Sequence, residues 1–103
     1  MKVNKEELLN DLNEFYYDYI LERDKDKVTE EQVKQTINQF CPIRIDDLEH
    51  VEIELDSIRC VQGDLNIPAN ELLKDRYQER LDDLWDRLNW LKDEYELENN
   101  LPF

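Results

Sequence analysis

Apolar residues recur along the start of the chain with the period of an amphipathic helix. Leu8, Leu12, Phe15 and Tyr19 follow one another at intervals of four, three and four, and Leu9, Tyr16 and Ile20 widen the stripe. The spacing predicts a helix over 4–22, with Asn4 as N-cap and Glu7 three residues on. Tyr17 falls off the main face. Arg23-Asp24-Lys25-Asp26-Lys27 contains no apolar residue and reads as a solvated turn. A second helix opens at Thr29, with Gln32 at the third helical position and Val28 placed to staple onto Val33. Val33, Ile37 and Phe40 carry it forward. Pro42 ends it, because the residue before a proline is pushed out of the helical region.

Residues 43–64 support two readings. Val51, Ile53 and Leu55 alternate with Glu52, Glu54 and Asp56, the pattern of a half-buried strand. Asp56-Ser57 would turn the chain so that Ile58 and Cys60 pair back. The rival is a helix, since Leu48, Val51, Leu55 and Ile58 also fit a 3.6-residue period. In it Asp46 and Glu49 form a capping box and Gly63 caps the end, but Ile53 and Cys60 fall on the wrong face. The β-branched residues favour the hairpin. From about Asn70 to Glu98 there is neither Gly nor Pro, and Tyr77, Leu81, Leu84, Leu88, Leu91 and Tyr95 form an unbroken a/d heptad seam. Such a helix spans on the order of 40 Å. The expected fold is therefore mainly helical α+β in one domain, 1–103: two N-terminal helices, a short acidic β-hairpin and a long C-terminal helix. The alternative is an all-α helical bundle in which 46–62 is helical.

Because the seam outlasts either preceding helix, a second copy is its expected partner, giving a homodimer. The other solution closes helices one and two over it as an antiparallel bundle.

Composition narrows the function classes. Of 103 residues, 27 are acidic and 13 basic, a formal charge of −14. That balance opposes direct nucleic-acid binding and anionic membrane surfaces, and favours a protein partner with a basic surface. The longest apolar runs are three residues, far short of the roughly 20 a membrane span needs. The acidic start has no signal-peptide character, so the expected location is cytoplasmic. Cys41 and Cys60 read as small buried hydrophobes, and no zinc ligand set forms around either of them. With one His, one Ser and one Gly, neither a nucleophilic triad nor a phosphate-cradling loop assembles. No enzyme, cofactor or metal is expected.

What remains is surface. In the hairpin, Glu52, Glu54 and Asp56 stand on one face about 6.6–6.8 Å apart, of the order of successive phosphates along a nucleic-acid strand. On the last helix Glu71, Asp75, Glu79, Asp82 and Asp86 form a second row, with Asp83 beside it and Arg76, Arg80 and Arg87 partly offsetting it. Trp85 flanks the seam; Trp90 lies away from it. Burial of both against helices one and two is the favoured reading, since Trp is usually largely buried, and the alternative makes Trp90 and Tyr17 exposed anchors. The tail Leu101-Pro102-Phe103 reads as a frayed end or a docking peptide.

Two functions follow. The first is a non-enzymatic inhibitor that imitates a polyanion in the basic cleft of a nucleic-acid-processing protein, through Glu52, Glu54, Asp56, Asp82, Asp83 and Asp86. Phages and mobile elements use small acidic proteins in this way against restriction or CRISPR systems, an analogy of class alone. The second is a coiled-coil homodimeric adaptor or assembly subunit that binds through the seam, Trp85 and Trp90.

Overall fold

The structure is a computed structural model and describes residues 3–39 and 43–99. It is a four-helix, all-α bundle, and no β-strand occurs among the described residues. Helix α1 runs Lys5–Arg23, α2 Glu30–Gln39, α3 Leu48–Leu65 and α4 Glu71–Asn99, the last entered through a single 3-10 turn, Pro68–Asn70.

The helix starts follow local chemistry. Asn4 accepts the Glu7 backbone N–H at 3.1 Å. At α2 the capping box is reciprocal: Thr29 Oγ1 accepts from the Gln32 N–H at 3.2 Å, and Gln32 Oε1 accepts from the Thr29 N–H at 2.9 Å. The expected roles of Phe40, Cys41, Pro42 and the Leu101-Pro102-Phe103 tail lie outside the described residues.

The acidic hairpin does not form: residues 48–65 are one helix. Its N-cap is Asp47, which accepts the His50 N–H at 2.9 Å, rather than Asp46. Gly63 lies inside the helix, which runs on to Leu65. Two side chains are sacrificed: Ile53 is 52% exposed, and Cys60 is exposed where burial was expected. In return Val51, Leu55, Ile58 and Leu65 are buried, each stabilising by about 1.5–3 kcal/mol. The helical penalty of a Val or Ile is only a few tenths of a kcal/mol. A lone two-stranded hairpin, by contrast, is marginal in water.

The seam explains why the helix wins. All six residues from Tyr77 to Tyr95 are buried within the chain, and the helices that cover them are α1 and α3, not α1 and α2. Both run antiparallel to α4. Tyr77 donates to the Asp18 carbonyl at 3.2 Å and Lys5 lies over the Tyr95 ring, while Gln62 pairs with Gln78 and Tyr95 donates to the Ile45 carbonyl at 2.8 Å. The two tyrosines thus end the seam with a ring in the core and a hydroxyl pinning the neighbouring segment. Near one end Tyr77 meets the parallel rings of Phe15 and Tyr19 edge-on. Among the described residues α2 packs on α1 and on no other helix, burying Val33 and Ile37 outside the shared core.

Ile58→Ala and Leu88→Ala should each lower stability by about 2–5 kcal/mol, whereas Ile53→Lys should change it by less than about 0.5 kcal/mol. Urea unfolding followed by circular dichroism separates them. A large loss at Ile53 would restore the strand.

Candidate functional site

Turning 48–65 into a helix takes the carboxylate ladder apart. Residues two apart on a helix point about 200° from each other. Glu52 and Asp56 therefore share an exposed face one turn apart, while Glu54 turns inward and is only 7% exposed. There it accepts a hydrogen bond from the Tyr16 hydroxyl at 3.3 Å. Burial pushes the Glu54 carboxyl above the ordinary carboxylate range, against the opposing pull of the Tyr16 hydrogen bond. Burial, and then the neighbouring Glu54 charge, raises the Tyr16 hydroxyl. Glu54 is thus a buried link between α1 and α3 with no open face for a partner.

Helix α4 divides its charges by side. Asp83 faces α1: it accepts from Arg87 at 2.7 Å, and the same guanidinium reaches Asp11 at 2.8 Å. Arg80 pairs with Asp18 at 3.1 Å and Arg76 with Glu22. These arginines bridge to α1, so the partial offset of the outer row expected from the sequence does not occur. Glu71, Asp75, Glu79, Asp82, Asp86 and Asp93 stay exposed along the outer ridge, and among the described residues none of the six is in an ion pair.

Asp82 faces the other way, toward α3. It accepts from the Gln78 amide at 3.0 Å, and Gln78 and Gln62 exchange amide hydrogen bonds at 2.8 and 2.6 Å. One turn along, Trp85 is half-buried against the core, and the Arg59 guanidinium lies 5.2 Å above its indole. Arg59 also donates to Asp56 at 2.8 Å. Together Ile58, Arg59, Gln62, Leu81, Asp82 and Trp85 line a notch of about 330 Å³ between α3 and α4. Of the residues expected to bind, Asp82 and Trp85 line this notch, and Asp56 is tied to it through Arg59. Glu52 lies one turn before Asp56, and Asp86 one turn beyond Asp82. Glu54, Asp83 and Trp90 are not part of it. Trp90 sits about 140° around the helix from Trp85 and is half-buried on the opposite flank.

Arg59, Gln62 and Gln78 were invisible as site residues. The Asp56–Arg59 spacing is a helical i,i+3 pair and carries no meaning on a strand. Exposed Leu72 and Leu97, 79% and 71% accessible, were likewise not anticipated.

One other cluster offers ligand atoms. Asp46, Asp47 and His50 lie within 4.8 Å of one another. Each carboxylate already has a structural role: Arg44 donates to Asp46 at 2.9 Å, and Asp47 caps α3 while its carboxylate contacts His50 Nδ1 at 2.7 Å. These bonds hold both carboxyls below the usual range, that of Asp46 chiefly through Arg44 and that of Asp47 chiefly through the His50 backbone N–H. A helix N-terminus also disfavours an added cation.

Neither a protein-family model, nor a curated protein, nor a solved structure matches this chain.

Because the folded Glu54 carboxyl titrates above its unfolded value, it stabilises the fold when protonated, and that contribution disappears as pH rises through the folded value. Glu54→Gln keeps an acceptor for Tyr16 and removes the charge. It should raise the thermal midpoint at neutral pH by roughly a few degrees, with the gain shrinking as pH falls through the carboxylate range. A thermal unfolding series across pH checks this, and a gain independent of pH would contradict it.

Proposed function

We propose that this chain is a non-enzymatic adaptor or assembly subunit that holds a basic segment of another protein across the face shared by α3 and α4. The supporting observation is the notch itself: a half-buried Trp85 beside Asp82 and Arg59, with exposed Glu52 and Asp56 on the outward side of α3 and exposed Asp86 one turn beyond Asp82 on α4. An aromatic anchor inside a polar rim is the usual anatomy of an interface. Opposite charge steers the encounter and fixes register. The seam once expected to make the contact is filled by α1 and α3 of the same chain, so binding falls to the outer surfaces.

A second reading concerns the partner's class. The unpaired ridge from Glu71 to Asp93 runs the length of α4, with successive carboxylates about 4.5–6 Å apart along the axis over most of it. A continuous anionic track favours a partner whose own ligand is a nucleic acid, with the ridge taking the place of phosphates.

Affinity capture followed by titration of the purified partner tests both readings. Reversing Glu52, Asp56, Asp82 and Asp86 to Lys should weaken binding more than about ten-fold and flatten its salt dependence. Trp90→Ala should leave it unchanged. Displacement by added nucleic acid selects the second reading. Binding that ignores both the charge reversal and salt overturns the assignment of this face.

A further inference from the structure

The notch has a more specific chemistry than negative charge. Its lining is the Trp85 indole with Ile58, Leu81, Gln62 and Arg59, Asp82 stands at its edge on α4, and Asp56 on α3 reaches it only through Arg59. A cation is already seated there: the Arg59 guanidinium lies 5.2 Å over the indole and donates to Asp56. Both members of that ion pair lie mostly in water, 61% and 71% exposed, so the pair holds Arg59 only weakly. Asp82 is satisfied by a neutral amide alone, and Glu52 and Asp86 add two further charges within a helical turn. The site is therefore shaped for a planar cation and remains net negative with its own arginine in place.

We propose that this notch is an arginine subsite, filled by Arg59 in the free chain and taken over by an arginine of the basic partner segment. The proposal rests on the adaptor reading and specifies what its partner must present. A guanidinium suits the geometry better than an ammonium, because it stacks flat on an indole and offers a fork of N–H donors to carboxylates on either side. Displaced, Arg59 swings into solvent, where its long side chain is already more than half exposed. Arg59 thus acts as an internal competitor that sets a threshold for partners lacking a well-placed arginine.

The test uses oligo-arginine and oligo-lysine peptides of equal length, titrated against the full chain at low salt by calorimetry. The wild-type chain should bind oligo-arginine about three-fold more tightly. Arg59→Gln, an exposed substitution that keeps the fold, should widen that preference by about two- to five-fold. Trp85→Leu should abolish the preference while leaving the affinity common to both peptides. Equal binding of the two peptides to the wild type and to Arg59→Gln overturns the subsite alone. So does an arginine preference that survives Trp85→Leu, or one that Arg59→Gln leaves unchanged. Failure of both peptides to bind, or binding indifferent to Asp82→Lys with Asp86→Lys, overturns the adaptor reading and the subsite together.

Discussion

The apolar seam of α4 governs this molecule. A stripe of four leucines between two tyrosines cannot remain in water, and a helix of 29 residues needs cover along most of its length. Helix α1, with 19 residues, lines one side, and α3, with 18, lines the other. Helix α2 is too short for the task and packs elsewhere. The demand for a second long cover decides the conformation of 48–65, overriding a local alternation that looks like a strand. Ile53 is left outside because four neighbours gain more by facing α4. The same arrangement closes the seam within one chain, which removes the hydrophobic reason for a second copy to cover it.

Charge placement follows from that packing. Helices α1 and α4 lie antiparallel, so Asp11, Asp18 and Glu22 meet Arg87, Arg80 and Arg76 in reverse order. The arginines of α4 are drawn to one flank, and the carboxylates of its outer ridge are left without them. On the other flank the contacts are amides and an aromatic ring: Gln62 with Gln78, and Arg59 over Trp85. A chain with a formal charge of −14 thereby presents one nearly neutralised flank, one anionic ridge and one mixed polar groove.

Much of the architecture was legible in order of residues alone. The caps at Asn4 and Thr29, the stripe from Leu8 to Tyr19 and the seam on α4 all depend on neighbours a few positions away, so their periodicity suffices. The segment 43–64 was not legible in the same way. Its pattern fits two periods, and the deciding contacts come from residues 77–95. The site inherits that ambiguity. Glu52, Glu54 and Asp56 form one face on a strand and two opposite faces on a helix, so Glu54 exchanges solvent for Tyr16. Asp82 and Trp85 keep their expected placement on a helix because the period of α4 is unambiguous. Arg59 gains its place only once Asp56 lies one helical turn away.

The isolation of α2 has its own effect on motion. Val33 and Ile37 are its buried apolar contacts, and both lie outside the shared core. Lifting α2 from α1 would expose Val33 and Ile37 but leave the contacts among the three long helices in place. Its amide protons can therefore reach solvent by a local opening that leaves the other helices folded. Among the described residues the fourth member of the bundle is thus held by one neighbour alone.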